Sequence, residues 1–298
     1  RATALRVARC CAALDGRRVT TDADVATAAA LVLGPRATRL PAPPPDSSDQ
    51  QPPPPRRPIA PAQGARTISI VGTNDLHGAL DRLPIFAGYM DNLRAARRAD
   101  GGSLAIIDAG DMFQGTLASN LGEGEAVIDA YNAIGYTAAA VGNHEFDFGP
   151  LGERVIATEP GDDPRGALRA RGKQAKFPLL TGNLVEAATG DPVKWTNMPA
   201  TRTVEVGGLR IGIIGVTTEA TPFTTMPANF EGLRVIAPAT AVLAEATRLR
   251  SEGAQLVVVT AHVGSKCKDL SNPNDLTSCE TNEELFRMIE FFPEGLID

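Results

Sequence analysis

Four short apolar runs in this chain each end in a glycine-containing motif of Asp, Asn or His, and this pattern constrains the fold more than any other feature. The motifs lie at residues 72–78, 108–111, 142–149 and 260–264. Helical patterns separate the first three runs, so the order β-α-β-α-β predicts parallel strands joined by helical crossovers. Because open α/β sheets bind ligands beyond the carboxyl ends of their strands, we expect the four motifs to meet at one edge.

The spacing of apolar residues predicts the remaining elements of an α/β fold. Gly207 and Gly208 stand between two apolar runs and predict a two-residue hairpin turn. A polar stretch at 161–176 predicts a loop with a short helix. The predicted strands are 67–73, 104–108, 138–141, 177–180, 203–206, 209–216 and 256–260, and the predicted helices are 83–98, 123–134, 240–250 and 283–292.

The side chains in the four motifs are those that bind a pair of metal ions. Asp75 and His77 alternate on an extended segment, so both can point to the same side. Asp111 has two carboxylate oxygens and can bridge two cations, whose mutual repulsion needs a shared anionic ligand. Asn143 offers a neutral oxygen and His262 a ring nitrogen. Mixed nitrogen and oxygen ligands without thiolate suit Zn, Mn, Fe or Co and do not choose among them.

Each of these motifs also has a plainer interpretation. An Asp-x-His at a strand end is often a turn with local hydrogen bonds, and Asn143 alone can be a turn residue. We expect Asp108 to brace its loop from behind the site, and Glu145 to be a solvated loop acid without a chemical role. The distribution of histidine favours the metal site, because all three histidines of the chain fall inside the motifs.

Taken together, the motifs Asn-Asp-Leu-His-Gly, Asp-Ala-Gly-Asp, Gly-Asn-His-Glu-Phe-Asp and Ala-His resemble those of the metallophosphoesterase domain of the 5′-nucleotidase family. That family includes bacterial UDP-sugar hydrolases and 2′,3′-cyclic nucleotide phosphodiesterases. The resemblance covers residues 66–298 and implies a four-layer α/β sandwich that hydrolyses nucleotides or other phosphoesters. It implies two divalent cations, the first on Asp75 and His77, the second on Asn143 and His262, with Asp111 between them.

The resemblance also implies how the reaction proceeds. A metal-activated hydroxide would attack phosphorus in line. The histidine that matches His144 faces the phosphate in the family and is not a ligand. Asp147, three residues further on, can hydrogen-bond the other ring nitrogen of His144 and fix its tautomer.

One further motif of the family, Gly-His-Thr-His or Gly-His-Ser-Gln, has no counterpart in this sequence. It would supply one ligand to each metal from the strand after His262. We therefore expect a sandwich that is incomplete at its C-terminus, with weak or absent activity.

The first part of the chain differs from the rest in composition and resemblance. Residues 1–40 carry two short helical patterns that resemble the end of the helical lid of magnesium chelatase ATPase subunits, and residues 41–65 resemble the Pro-rich linker that follows the lid in the D-type subunit. The ATPase core is absent, so no ATPase activity is implied. The alternative function is a non-catalytic assembly module whose N-terminal helices dock on an ATPase partner. Chelatase subunits are cytoplasmic, whereas 5′-nucleotidase relatives are usually periplasmic or extracellular, which leaves the compartment open.

The charge of the chain and its cysteines limit the partners and the redox state that we expect. Ten arginines against five acids precede residue 67, whereas the remainder has a net charge of −11 and does not favour nucleic-acid binding. No apolar run is long enough to predict a membrane span. Cys10 and Cys11 are interpreted as packing residues. Cys267 and Cys279 suit either a surface-loop disulfide or, less well, part of a metal site.

Overall fold

The computed structural model describes residues 67–269, 271 and 275–298, and the helices and linker predicted for residues 1–65 lie outside them. The strands of the described part are β1 (Ile68–Thr73), β2 (Ser103–Asp108), β3 (Ala138–Ala140), β4 (Leu179–Leu180), β5 (Leu184–Glu186), β6 (Thr201–Val206), β7 (Leu209–Thr217), β8 (Leu233–Val235) and β9 (Leu256–His262). Its helices are α1 (Leu83–Ala99), α2 (Leu117–Asn120), α3 (Glu125–Ile134), α4 (Gly166–Gln174), α5 (Thr221–Thr224), α6 (Pro227–Phe230), α7 (Pro238–Ser251) and α8 (Glu284–Glu290), with a 3-10 turn at His144–Phe146.

The first sheet has the order β1-β2-β3-β4 and is parallel throughout. Helix α1 connects β1 to β2, and α3 connects β2 to β3, as the alternating pattern predicts. Parallel register places Thr73 beside Asp108, and Asp108 beside Ala139. The carboxyl ends of the first three strands therefore lie next to one another, where the polar motifs follow.

The second sheet has the order β6-β7-β9. Strands β6 and β7 form the predicted hairpin, and both turn residues, Gly207 and Gly208, have positive φ angles of 60° and 79°. Such angles suit a turn whose twist matches the strands, and glycine adopts them without steric cost. Strand β9 pairs with β7 in parallel, which sets Thr217 opposite His262.

The two sheets pack face to face between two layers of helices, which is the predicted four-layer sandwich. Alternate residues of the inner strands point to opposite layers. Ile106 faces the cluster formed with α1, α3 and α4, whereas Ile107 faces the second sheet. In β7, Ile213 faces the first sheet and Ile214 packs against α7 and α8. Both sheets are thus covered on both sides, so their inner strands are almost wholly apolar.

Several elements differ from the sequence prediction. The two-stranded antiparallel sheet of β5 and β8 was not predicted, because three-residue strands carry too little periodicity. The predicted strand at 177–180 is shorter, and β9 extends to His262. Residues Cys267 and Cys279 form a disulfide, which selects that interpretation over the metal site. In the described part of the chain, no helix combines the length and apolar character that a bilayer crossing requires.

Candidate metal centre

The four motifs meet at the carboxyl edge of the two sheets. Backbone hydrogen bonds join the first two loops: the Asp75 N–H donates to Gly110 O and the His77 N–H donates to Asp111 O, both over 3.0 Å. A third bond links the sheets, where the Thr260 hydroxyl donates to Asp108 O over 2.7 Å. These contacts fix the spacing between the loop after β1, the loop after β2 and the end of β9.

The Nε2 atoms of all three histidines converge on one carboxylate oxygen, Oδ2 of Asp111. The distances are 3.9 Å from His77, 3.9 Å from His144 and 3.2 Å from His262. The Asp111 side chain is only 5% exposed, whereas that of His77 is 38% exposed, so the cluster opens to solvent on the side of His77. A buried carboxylate surrounded by imidazole nitrogens needs positive charge for stability.

The Nδ1 atoms of the histidines face outward, each toward an acceptor. His77 Nδ1 lies 2.9 Å from Gln114 O, and His262 Nδ1 lies 3.0 Å from Ala109 O. A carbonyl acceptor requires the proton on Nδ1, so in the neutral form of each ring it is the Nε2 lone pair that faces the cluster and can bind a cation.

His144 is oriented by a carboxylate instead of a carbonyl. Its Nδ1 lies 2.5 Å from Asp147 Oδ2, as the sequence predicts. A carboxylate partner stabilises the doubly protonated ring as well as fixing the tautomer. Asp147 therefore favours the protonated ring of His144.

Two overlapping sets of side-chain atoms lie close enough to hold a metal ion, with all atoms of a set within 4.8 Å of one another. One set is Asp75, Asp111 and His262, and the other is His77, Asp111 and His144. Asp111 belongs to both, which is the geometry of a bridging ligand. His144, expected to lie outside the ligand shell, is within reach of this cluster.

Asn143 joins the same cluster through its side-chain oxygen. Its Oδ1 lies 3.0 Å from His262 Nε2, and its amide nitrogen donates to Thr224 O over 3.0 Å. That hydrogen bond distinguishes the two ends of the amide and turns the oxygen toward the centre. All of Asp75, His77, Asp111, Asn143, His144 and His262 are thus brought together.

The backbone at three donor residues is strained. Asp75, His77 and Asp111 have φ angles of 51°, 47° and 58°, in the left-handed region that residues with a Cβ seldom adopt. Each costs about 1–2 kcal/mol relative to the ordinary conformation. Such outliers cluster at functional sites, where surrounding contacts enforce them.

Glu145 is buried, so its interpretation as a solvated loop acid is wrong. It is 1% exposed and accepts four backbone N–H bonds. Oε2 accepts from Asp111 and Gly142 at 2.9 and 2.7 Å, and Oε1 accepts from Met112 and Phe113 at 2.7 and 3.2 Å. One carboxylate therefore ties the loop after β2 to the loop after β3. Burial, together with the charge of Asp111, raises the pKa of Glu145 to about 7 despite these bonds.

Asp108 lies behind the centre and braces its loop, as the sequence predicts. It is fully buried and accepts hydrogen bonds from the Thr73 hydroxyl, the Tyr131 hydroxyl and the Gly110 N–H at 2.5, 2.9 and 2.8 Å. Burial raises the pKa of Asp108 to about 6, against the opposing effect of these donors.

Electrostatics in the cluster favour a cation at the Nε2 side. Burial lowers the pKa of His262, but its hydrogen bond to Asp111 and the charge of Asp111 outweigh burial and raise the pKa to about 9. The pKa of His144 is also raised, because Asp147 and Asp111 outweigh burial. The pKa of Asp111 is lowered: burial opposes ionisation, but His262 and the His144 N–H favour it more strongly. A proton on His262 thus occupies the place where the donors fit a metal ion.

Comparison with known proteins gives similarity to phosphoester-cleaving enzymes. The chain is 29% identical to Endonuclease YhcR of Bacillus subtilis over 67% of this chain and 17% of that protein. It is 30% identical to Protein UshA of Escherichia coli, over 66% and 34% of the two chains. It is 28% identical to 5′-nucleotidase of Homo sapiens, over 68% and 35%. The chain spans about a third or less of the length of these relatives.

A solved structure supports the same fold. The crystal structure of calcineurin-like phosphoesterase YfkN from Bacillus subtilis has a TM-score of 0.53, covering 68% of this chain and 64% of that chain at 20% identity. The described region has the calcineurin-like metallophosphoesterase fold, with a His and Asp cluster suited to a metal ion. Over about two thirds of its length the chain is thus similar to part of proteins named UshA and 5′-nucleotidase.

The N-terminal part has a separate similarity. Residues 1–55 match the family model described as AAA lid domain. This match agrees with the expectation of an ATPase lid and does not specify the magnesium chelatase subunits.

Proposed function

We propose that residues 66–298 form a phosphoesterase domain that hydrolyses nucleotides with the help of two divalent cations. The observation that carries the proposal is the convergence of three histidine Nε2 atoms on Asp111 Oδ2. Two cations about 4 Å apart form the usual clamp for displacement at phosphorus. The similarity to 5′-nucleotidase of Homo sapiens favours nucleotides as the substrate class.

The ligands divide between two positions that share Asp111. Asp75 and His77, whose Oδ1 and Nε2 atoms lie 3.6 Å apart, would hold the first cation. Asn143 and His262 hold the second. The donors are imidazole nitrogen, carboxylate and amide oxygen, which fit Zn, Mn, Fe or Co and give no preference among them.

His144 acts on the leaving group. Cations bound at this centre lower the pKa of water and neutralise the phosphoryl oxygens. As the water oxygen bonds to phosphorus and loses a proton to solvent, the ester P–O bond breaks, and the leaving oxygen takes the proton from His144 Nε2. Asp147 holds Nδ1, so that Nε2 faces the cluster, and stabilises the protonated ring before the transfer.

Metal titration of the whole chain, combined with phosphate release from AMP, tests this function. The protein is treated with chelator and loaded with Zn²⁺, Mn²⁺, Fe²⁺ or Co²⁺ in turn. We expect two equivalents of metal per chain and metal-dependent release of phosphate, both reduced in Asp111→Asn. Glu153→Gln, which changes an exposed acid that takes part in none of these contacts, is the matched control. Two bound equivalents without phosphate release from AMP or an aryl phosphate would favour the non-catalytic alternative.

We also propose that the AAA lid match at residues 1–55 marks a segment of the magnesium chelatase D type, which docks on an ATPase partner. The proposal predicts that deletion of residues 1–40 abolishes co-purification with a chelatase ATPase subunit. The deletion leaves phosphate release unchanged if the two parts act independently. Equal co-purification with and without residues 1–40 would contradict it.

A further inference from the structure

Both carboxylate oxygens of Asp147 are engaged, and the second partner is a residue to which the sequence analysis gives no role. Oδ2 lies 2.5 Å from His144 Nδ1, and Oδ1 accepts a hydrogen bond from the Thr225 hydroxyl over 2.9 Å. We propose that Thr225 is a positioning residue that locks Asp147, and through it the ring of His144, for proton transfer to leaving groups that need one. This inference rests on the proposed function.

The segment that carries Thr225 also holds the other residues around His144. Thr224 O accepts a hydrogen bond from the amide of Asn143, the residue before His144, over 3.0 Å. The buried Asn229 amide donates to the carbonyl of Phe146, two residues after His144, over 2.9 Å. Residues 224–229 thus form hydrogen bonds with the loop after β3 both before and after His144 in the sequence.

The start of this segment is itself fixed. The hydroxyls of Thr217 and Thr221 are buried and lie 2.8 Å apart. Between these two residues, the Thr218 hydroxyl and the Glu219 N–H donate to the carboxylate of Glu284 on α8, at 2.5 and 3.0 Å. Because the segment is tied at both ends, the Thr225 hydroxyl is a fixed donor and not a mobile surface group.

The consequence for the reaction follows from the geometry of the carboxylate. Without the Thr225 donor, Asp147 retains a partner on Oδ2 only and can rotate about its terminal torsion, which is a soft one. The ring of His144 then loses its fixed direction, and its Nε2 proton meets the leaving oxygen less often. A ribose 5′-oxygen leaves as a poor alkoxide and needs that proton, whereas p-nitrophenolate leaves without it. Thr225 therefore favours natural nucleotides over activated aryl esters.

A leaving-group comparison with matched variants tests this role. In Thr225→Val the side chain keeps its shape and loses the hydroxyl, and Thr225→Ser restores the hydroxyl. We expect Thr225→Val to lower kcat for AMP about 10-fold or more, while kcat for p-nitrophenyl phosphate changes less than about 2-fold. Thr225→Ser recovers most of the rate with AMP. Thr247→Val, which removes an exposed hydroxyl bonded to Leu243 O on α7, serves as the control.

A second readout does not depend on turnover. The chain has three histidines, so ¹⁵N-labelled histidine gives few ring signals to assign. We expect the Nδ1 proton of His144 to exchange with water faster in Thr225→Val than in the unmodified protein, as in Asp147→Asn, and to regain protection in Thr225→Ser.

The two readouts separate this inference from the proposed function. An equal loss of kcat on both substrates, or unchanged exchange of the His144 proton in Thr225→Val, overturns the role of Thr225. Absence of phosphate release from the unmodified, metal-loaded protein overturns the proposed function, and the exchange measurement then still decides whether Thr225 positions the pair.

Discussion

Glu145 fixes the position of Asp111 by accepting its backbone N–H over 2.9 Å. The same carboxylate accepts hydrogen bonds from three more backbone N–H groups. It therefore provides the acceptor that water would otherwise provide for these buried groups. In Glu145→Gln one oxygen becomes an NH₂ group, which faces N–H donors and leaves about two of them unpaired. We expect the free energy of unfolding to fall by about 2–4 kcal/mol, because each buried unpaired donor costs about 1–3 kcal/mol.

Urea unfolding of the metal-free protein measures this loss. The midpoint should fall while the slope stays constant, because the surface exposed on unfolding is unchanged. Glu153→Gln is the control, since Glu153 is exposed. A midpoint shift no larger than that of the control would show that the four N–H groups find other partners.

Replacement of His144 or Asp147 should separate catalysis from metal binding. In the proposed reaction neither residue is a metal ligand, and His144 supplies the proton for the leaving oxygen. We expect His144→Ala to lower kcat about 10²–10⁴-fold and Asp147→Asn about 10²-fold, with two metal equivalents retained in both. Elemental analysis of dialysed protein beside kcat on AMP checks this. Loss of one metal equivalent in His144→Ala would make His144 a ligand, which its place in the cluster also permits.

Metal affinity should depend on pH through His262. Its pKa is raised from the ordinary 6.5 to about 9 in the metal-free protein, so at neutral pH the ring is an imidazolium with a proton on Nε2 as well as on Nδ1. A cation needs the Nε2 lone pair and must displace that proton. We expect affinity to fall about 10-fold per pH unit below about 9, with one proton released per chain.

Calorimetry in two buffers of different ionisation enthalpy counts the released protons. Metal affinity rises with pH, whereas the free energy of unfolding of the metal-free protein should fall as the pH rises. The imidazolium of His262 stabilises the fold fully below pH 6.5, and this contribution is lost as the pH rises through about 9. Binding without proton release at pH 7 would contradict the assignment of His262 as a ligand.

Two glycines offer a paired test of the packing between the layers. In β7, a methyl group at Gly215 would overlap the side chain of Leu180 in the facing sheet. We expect Gly215→Ala to lower stability by about 1–3 kcal/mol through overpacking. In α1, a methyl group at Gly88 meets nothing within 4 Å. Gly88→Ala should therefore raise stability by about 0.5–1 kcal/mol. Thermal unfolding of both variants checks the signs, and equal shifts would refute the close approach of the sheets.

The residues that meet at the centre were predictable because their signals are local. Each donor lies within about four residues of the end of an apolar run, and parallel pairing brings successive strand ends together. The four-layer arrangement was implied by the resemblance to the metallophosphoesterase domain, and strands that are apolar on both faces agree with it. The contacts of Asp108 follow too, because a carboxylate at the end of a buried strand must find donors.

The roles of Glu145 and Thr225 were not predictable from the sequence. Glu145 bonds to Asp111, 34 residues away, and Thr225 bonds to Asp147, 78 residues away. No periodic pattern in the sequence indicates either contact, because both depend on how the loops pack against each other. A signal for Glu145 does exist, since a carboxylate three residues after Gly142 is close to the N–H groups that a tight turn leaves unpaired.

The left-handed backbone at Asp75, His77 and Asp111 has a consequence for how the centre selects its ions. The conformational penalty is met when the chain folds, and an arriving ion does not have to provide it. The donors therefore stand at their final spacing beforehand, and the cage has little freedom to expand or contract. At the proposed metal centre, an ion of unsuitable radius would then gain nothing from rearrangement, and discrimination between metals would depend on size as much as on ligand type.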